Sequence, residues 1–304
     1  MLRTTHTSTV TEDQIDHLGH MNVMYYAVNA HAGTRAVLAD LPGWDAPAHL
    51  VHDTYTRHHR EQLLGAPLVV RTAVLGADAN TLRLHHELAN ADTDELAATF
   101  VHGISAIGGD GDRLALPAEA LAAARAQAVS APEHAAPRSI SLAADLLTHA
   151  PPIELLRERH LAMRKERRVS AEECDEAGGY RVERAPMLTW AGEPLEGQLD
   201  EVLFETSAGV RMGWAVMENR IQIGQLPRVG DHIQSFGAVV AIHDKVTHRV
   251  HWTYDLDSNE LVTAFEMINM AFDIAGRRAM TIPAGYRERE LERLQPDLVP
   301  QPVG

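Results

Sequence analysis

The sequence predicts an α+β fold in which a helix packs against a curved antiparallel sheet, and it predicts this arrangement twice. Two observations support the prediction. A polar loop, a helical stretch and several strand-like segments follow one another in the first half, and the same order returns in the second half. In addition, the motif "ELAATF" (95–100) has a counterpart in "ELVTAF" (260–265). A chain of 304 residues is long enough for two such units, each with its own core.

The first half is predicted to contain one helix followed by a meander of strands. Residues 22–40 carry apolar side chains at mixed three- and four-residue spacings, and Gly43 follows as a stop signal. Segments rich in Val, Leu and Thr come next and are separated by turn-forming residues. The predicted strands are 49–62, 66–77, 80–90 and 95–107.

The second half repeats this order with changes. When the halves are aligned, Asp175 falls on Asp16 and Gly178 falls on Gly19, and the predicted strands lie near 208–223, 230–242, 246–255 and 260–273. The helix before these strands contains Pro186 and Gly192, which are expected to bend or shorten it.

A long helix wrapped by a strongly curved antiparallel sheet is a hotdog fold, and two copies related by a pseudo-twofold axis are a double hotdog. We therefore predict an N-terminal hotdog at 1–110, a linker with short helices at 111–158, and a C-terminal hotdog and tail at 159–304. The two halves would form an internal pseudo-dimer, and further association into a homo-oligomer is left open.

Composition excludes several functions and partners. The net charge of −15 argues against nucleic acid and against an anionic membrane surface. The N-terminus has no apolar signal core and no long apolar run follows, so we expect a cytoplasmic protein that does not cross a membrane. Cys174 is the single cysteine, which excludes an internal disulfide.

The segment "DHLGHMN" (16–22), followed by Tyr25 and Tyr26, resembles the loop and helix start of the 4-hydroxybenzoyl-CoA thioesterase superfamily, whose members are hotdog-fold acyl-CoA thioesterases. Residues 59–88 are similar to the betainyl-CoA thioesterases of bacterial carnitine breakdown. The resemblance implies hydrolysis of a short or polar acyl-CoA without a cofactor. It leaves open whether the acyl group is carried by CoA or by a carrier protein.

Thioester cleavage needs a nucleophile or an activated water, and hydrogen-bond donors for the oxyanion. Asp16 is the candidate catalytic carboxylate, and it can attack directly or deprotonate water. His20 and Asn22 are predicted to orient Asp16 or the water, while backbone amides in the first turn of the helix would bind the oxyanion. Taken alone, Asn22 is more often a helix cap.

The predicted substrate-binding residues surround this loop: Gly19, Val23, Tyr25, Tyr26 and Arg60. The two tyrosines are alternatively core residues, and the basic cluster 57–60 is alternatively a solvated strand face. Asp175 and Gly178 are predicted to form a degenerate second site, because Gly179 and Arg181 replace His20 and Asn22 there. An ion pair with Arg181 would hold the Asp175 carboxylate in a structural role.

Other chemistries fit the sequence less well. His17, His20, His58 and His59 lack a third ligand at a recognised spacing, so no metal site is expected. "GISAI" (103–107) lacks the closing glycine of a serine-hydrolase elbow. The alternatives to a thioesterase are a hotdog hydratase or dehydratase, and a non-catalytic acyl-binding protein.

Overall fold

The computed structural model describes residues 1–44, 48–108, 111–195, 204–206 and 209–301. The chain divides into two compact units. The first comprises residues 1–136 with 182–184, and the second comprises residues 137–181 with 185–304. None of the helices in the described ranges combines the length and the apolar character needed to cross a bilayer.

The first unit is a helix packed on an antiparallel sheet. Its main elements are β1 (Arg3–Thr9), α1 (Val23–Asp40), β2 (Ala48–His58), β3 (Pro67–Ala77), β4 (Leu82–Asn90), β5 (Leu96–Ile107), β6 (Arg113–Leu114) and α2 (Ala118–Gln127). The strand order is β1-β3-β4-β5-β2, and β6 pairs with β5. The predicted helix and the predicted meander are both present.

The second unit repeats this sheet. Its elements are α3 (Ile153–Glu158), β7 (Arg167–Arg168), β8 (Phe204–Glu205), β9 (Arg211–Ile223), β10 (His232–Ile242), β11 (Val246–Asp255), β12 (Leu261–Asp273), β13 (Arg278–Ala279) and α4 (Ala284–Glu292). Its strand order is β7-β10-β11-β12-β9, which matches the first unit strand for strand. Residue 208, where one predicted strand begins, lies outside the described residues.

Details of strand pairing support the duplication. The ladder between β3 and β4 shifts register between Val74 and Gly76, and the ladder between β10 and β11 shifts between Val239 and Ala241. These irregularities fall at equivalent positions when Gly65 is aligned with Gly230. The paired motifs "ELAATF" and "ELVTAF" begin one residue before β5 and β12. The predicted double hotdog fold is therefore confirmed.

Helix α1 packs against β1, β3 and β4 and brings apolar side chains into the core at both of its ends. Tyr26 and Ala30 belong to one apolar cluster, and Val37 and Leu38 belong to another. Gly33 lies between these clusters, where an added Cβ would lie 2.9 Å from Val70 Cγ1 and from Thr5 Oγ1. A glycine at this position lets the helix approach the sheet closely.

A polar layer occupies the core of the first unit beside α1. The Thr34 hydroxyl lies 3.0 Å from His86 Nε2 and 2.9 Å from His102 Nδ1. The Thr72 hydroxyl lies 2.8 Å from His86 Nδ1. Burial lowers the pKa of His86 and of His102 well below the ordinary value, so both rings are neutral at physiological pH. The threonine hydroxyls bind both nitrogens of His86 and one nitrogen of His102, while His102 Nε2 has no hydrogen-bond partner among the described residues.

The second unit departs from the first before its sheet. Where α1 has 18 residues, the described residues of the second copy contain a 3₁₀ helix at Val182–Thr189 with Pro186 inside it. Proline removes a backbone donor and clashes with the preceding turn, which explains why a long helix does not form there. Shortening was expected from the sequence, but the two long helices of the predicted double hotdog are not both present among the described residues.

The segment after residue 136 is held on the second sheet by side chains of β9 that bind its backbone. Glu218 accepts hydrogen bonds from three successive amides, those of Arg138, Ser139 and Ile140, at 3.0, 3.1 and 3.3 Å. The Arg220 guanidinium donates to two backbone carbonyls of this segment. The side-chain oxygen of Gln222 accepts a hydrogen bond from the amide of Leu146. These contacts satisfy the buried Glu218 carboxylate through backbone amides, and no ion pair to it is formed within the part of the chain that the structure describes.

Two differences from the sequence prediction have physical causes. The strand β1 was not predicted, because "RTTHTST" has no apolar alternation, yet it pairs with β3 at the sheet edge. The predicted strand 49–62 ends at His58, since the amides of His59 and Arg60 both bind the carbonyl of Ala97 and turn the chain away. The domain boundaries at 110 and 158 stay a prediction.

Candidate active site

The loop between β1 and α1 is built by backbone hydrogen bonds around a left-handed glycine. The Asp16 amide donates to the carbonyl of His20 at 2.9 Å, and the Gly19 amide donates to the carbonyl of Asp16 at 3.0 Å. Gly19 has φ of +82°, a conformation that L side chains rarely adopt. The tight turn brings the side chains of Asp16 and His20 to 3.5 Å of each other, and their catalytic roles stay a prediction.

One oxygen of the Asp16 carboxylate faces the loop backbone, and the other oxygen faces the His20 ring. Its Oδ1 accepts a hydrogen bond from the Leu18 amide at 2.8 Å, while Oδ2 lies 3.5 Å from His20 Nδ1. The side chains of Asp16 and His20 are each 15% exposed, so solvent or a ligand can reach them. One oxygen is therefore fixed by the backbone, and the other remains available for chemistry.

Glu61 completes this cluster and was not singled out from the sequence. Its Oε1 lies 3.6 Å from His20 Nε2, so the imidazole lies between two carboxylates. The Glu61 side chain is 41% exposed. The position follows the end of β2, where no periodicity predicts which way a side chain points. Its neighbour Gln62 binds the Met21 amide through its carbonyl, and this contact ties the turn to the loop.

The N-terminus of α1 leaves one first-turn amide available. Asn22 is the N-cap, and its side-chain oxygen accepts from the Met24 amide at 2.9 Å. The Tyr25 amide donates to the Asn22 carbonyl. Among the described residues the Val23 amide donates no hydrogen bond. The expected oxyanion donors are thus reduced to Val23 and to the Asn22 NH₂ group, which can donate while the oxygen caps the helix.

The two tyrosines have different environments. Tyr26 is 4% exposed, its hydroxyl donates to the Arg60 carbonyl, and it accepts from the Gln62 amide at 3.0 Å. Burial raises the pKa of Tyr26 to about 12. These contacts favour the core interpretation for this residue. Tyr25 is partly exposed, and its hydroxyl lies 3.4 Å from the Asp13 carbonyl.

The basic cluster at 57–60 carries less positive charge than its sequence suggests. Burial lowers the pKa of His58 to about 4, so this ring is neutral. The Arg57 guanidinium donates to the carbonyls of His134 and Ala136 at 2.9 and 3.3 Å. Arg60 is 66% exposed and pairs with Glu95 at 2.8 Å, and an exposed pair of this kind costs little to break.

The second copy retains the loop but not the cluster. The Asp175 amide donates to the Gly179 carbonyl at 2.8 Å, the Gly178 amide donates to the Asp175 carbonyl at 3.0 Å, and Gly178 has φ of +78°. These values reproduce the first loop. The predicted ion pair between Asp175 and Arg181 is not formed within the described residues, because Asp175 Oδ1 accepts the amides of Ala177 and Gly179 instead.

Sequence comparison identifies relatives of the first half. Residues 10–136 match the family described as the thioesterase-like superfamily. The chain is also 36% identical over 98 residues to the L-carnitine dehydrogenase/betainyl-CoA thioesterase of Agrobacterium fabrum. This match covers 30% of the chain and 20% of that relative, so the chain spans about a fifth of the length of the curated relative that it matches.

Structural comparison extends the likeness to both halves. A 12:0-ACP thioesterase from Umbellularia californica superposes with a TM-score of 0.65, at 9% identity, over 89% of this chain and 94% of that chain. An acyl-ACP thioesterase from Bacteroides thetaiotaomicron gives a TM-score of 0.62, at 10% identity, over 88% of this chain and 97% of that chain. At such low identity these likenesses establish the fold alone. The family likeness is thus confined to residues 10–136, less than half of this double hotdog chain, which are similar to the thioesterase-like superfamily.

Proposed function

We propose that this protein is a thioester hydrolase that cleaves a short or polar acyl-CoA, with Asp16 as its catalytic carboxylate. The single observation that carries the proposal is the partly accessible Asp16 carboxylate, with one oxygen fixed by the Leu18 amide and the other 3.5 Å from His20, beside a helix N-terminus. The match of residues 10–136 to the thioesterase-like superfamily supports the reaction class.

The reaction needs a site for the carbonyl oxygen. The Val23 amide at the N-terminus of α1 supplies a donor there, and the helix dipole adds positive potential. The Asn22 NH₂ group can supply a second donor. One such donor is worth about 3–4 kcal/mol of transition-state stabilisation.

Asp16 can act in either of two ways. As a general base it takes a proton from water, the hydroxide adds to the carbonyl carbon, and the C–S bond breaks to release the CoA thiolate, which takes up the proton. As a nucleophile it displaces the thiolate and forms a mixed anhydride, which water then hydrolyses. His20 and Glu61 would help to position the water in both routes, because the imidazole contacts the Met21 carbonyl through Nδ1 and lies between the carboxylates of Asp16 and Glu61, at 3.5 and 3.6 Å.

Betainyl-CoA is the substrate that we propose to test first. The curated relative bears the name betainyl-CoA thioesterase, and its alignment with this chain covers 98 residues. A trimethylammonium head is attracted by carboxylates and by aromatic faces. Glu61, 3.6 Å from His20, offers a carboxylate, and the partly exposed Tyr25 in the first turn of α1 offers an aromatic ring. Trp252 of the second unit is a poorer candidate for binding the cation, because it is buried in the core of that unit.

Gly19 and Val23 would contact the thioester group. Arg60 would bind a phosphate of CoA after its ion pair with Glu95 breaks. Tyr26 would contribute through the turn that it supports, since its ring is buried. In the second copy Asp175 and Gly178 keep the loop without a counterpart of His20, which supports a degenerate site. Acyl-CoA is the proposed partner, and the residues of this site require no cofactor in either route.

A panel of thioesters tests the proposal. The protein is incubated with betainyl-CoA, with 3,3-dimethylbutyryl-CoA, which is its neutral isostere, with a long-chain acyl-CoA, and with an acyl carrier protein bearing a medium-chain acyl group. A thiol reagent measures free thiol. We expect release from betainyl-CoA at the highest kcat/KM, with the neutral isostere slower because the cation is not recognised.

Adding an enoyl-CoA to the panel separates the alternatives. A hydratase or dehydratase would convert the enoyl-CoA without thiol release, and a non-catalytic protein would bind a thioester and leave it unchanged. Preference for the long chain or for the carrier protein would reject betainyl-CoA and keep the hydrolase. Absence of thiol release from every thioester would reject the hydrolase itself.

A further inference from the structure

A second cluster of polar side chains lies on the first sheet, away from the face that packs against α1. His85 and Glu87 alternate along β4 with Leu84 and His86, whose side chains are part of the core beside α1. They therefore point to the opposite face. His134, in the 3₁₀ turn Glu133–Ala135, reaches this face from a position 47 residues beyond Glu87. No spacing rule predicts this meeting.

The three side chains direct potential metal-ligand atoms at one point. Glu87 Oε1 lies 2.7 Å from His134 Nε2 and 3.4 Å from His85 Nε2, and all three atoms lie within 4.8 Å of one another. Tetrahedral Zn²⁺ with bonds of about 2.0–2.1 Å separates its ligand atoms by roughly 3.3 Å. The pair on β4 already has this spacing. The half-exposed His134 needs to withdraw by about 0.6 Å to match it.

The orientation of His85 favours a cation between the rings. Its Nδ1 lies 3.2 Å from the Phe100 carbonyl, an acceptor that requires a proton on that nitrogen. A neutral imidazole has only one such proton, so Nε2 then presents its lone pair toward Glu87. A backbone carbonyl that fixes one ring nitrogen while the other coordinates is the usual support of a metal-bound histidine.

The surroundings of the cluster suit a structural ion. His85 is fully buried, and His134 is 49% exposed, so an ion can enter from one side and keep a water ligand there. Arg57 holds the carbonyls of His134 and Ala136, which fixes the turn that carries the third ligand. The guanidinium binds the backbone of this turn, and the imidazole of His134 stays directed at Glu87.

We propose that His85, Glu87 and His134 form a Zn²⁺ site, with water as the fourth ligand. Two imidazoles and one carboxylate are ligands typical of this ion. The ion would link the turn at Glu133–Ala135 to β4 and so fasten the segment that follows α2 onto the first sheet. This role is separate from Asp16 and does not depend on the proposed thioesterase activity.

The test uses untagged protein that has been treated with a chelator and dialysed. Calorimetric titration with ZnCl₂ is expected to give one equivalent of bound Zn²⁺ per chain and to raise the melting temperature. Co²⁺ as a substitute is expected to give the visible absorption of a low-coordinate site. Two variants, His134→Ala and Glu87→Gln, are expected to weaken Zn²⁺ binding by at least about tenfold.

Matched controls separate this site from adventitious binding by a chain with 18 histidines. His149→Ala removes another exposed histidine, and Glu133→Gln removes a charge from the same turn, so both are expected to bind Zn²⁺ like the parent chain. Circular dichroism in chelator checks that each variant is folded. Absence of stoichiometric binding, or binding that survives in both His134→Ala and Glu87→Gln, would overturn the proposal.

Discussion

Replacing Asp16 by Asn removes one negative charge from the proposed site and leaves the loop almost unchanged. The side-chain oxygen of Asn can still accept the Leu18 amide, which donates to Asp16 Oδ1 at 2.8 Å in the parent. The amide group that replaces Oδ2 cannot deprotonate water or attack a carbonyl. A positioned base contributes about 10²–10⁴-fold to rate, so we expect kcat to fall by at least about 10²-fold, or about 2.7 kcal/mol.

The second loop supplies an internal control with the same chemistry. Asp175→Asn also removes one charge from a D-x-x-G turn, where Oδ1 accepts the amides of Ala177 and Gly179. Because Asp175 is exposed and its loop has no residue equivalent to His20, the turnover of Asp175→Asn should stay within several-fold of the parent. Both variants should keep their stability within about 0.5 kcal/mol, because each retains its backbone hydrogen bonds.

The assay measures free thiol at saturating thioester, together with the melting temperature of each variant. The expected pattern is a low kcat for Asp16→Asn alone, with three closely similar melting temperatures. If Asp16→Asn retained full turnover, the carboxylate would not be the catalytic group. If Asp175→Asn abolished turnover and Asp16→Asn did not, the active loop would be the second one.

Two further predictions concern stability. Burial lowers the pKa of His31, His86 and His102 well below 6.5, so the unfolded chain binds more protons than the folded chain as the pH falls below that value. The free energy of unfolding should therefore decrease by about 1 kcal/mol per histidine between about pH 7.5 and about pH 5.5, as measured by urea denaturation, and an unchanged midpoint would contradict this account. Gly19→Ala should cost about 1–2 kcal/mol through its φ of +82° alone, since no atom lies within 4 Å of the added Cβ. The control is Gly285→Ala, which adds a methyl group to equally open space at a residue of α4 whose φ is not positive. Equal melting temperatures for the two variants would argue against backbone strain at Gly19.

The sequence predicted the elements whose signals are local. The helix at 23–40 follows from apolar spacing and a cap at Asn22, and the loop at Asp16 follows from a motif that closes within a few residues. The strands β3 and β10 begin and end within two residues of their predicted limits, because glycine and turn-forming residues bound them.

Features that depend on distant contacts were not predictable. Glu61 joins the site only because the chain turns at His59 and Arg60 to bind the Ala97 carbonyl. His134 meets Glu87 through a segment whose sequence has no regular pattern. The loop carboxylate of the second copy was expected to pair with a guanidinium, but Gly179 has no side chain between its amide and Asp175, and the backbone satisfies the carboxylate.

The hydrogen bonds that β9 makes to the segment 138–146 constrain the number of residues in that segment but not their type. Glu218 and Arg220 recognise its amides and carbonyls, which every amino acid other than proline supplies in the same way. Point changes there should accumulate in evolution with little cost. A single inserted or deleted residue would move each amide and carbonyl away from its partner and leave the buried charges of Glu218 and Arg220 without hydrogen-bond partners. Related chains should therefore differ here in residue type while keeping the same number of residues.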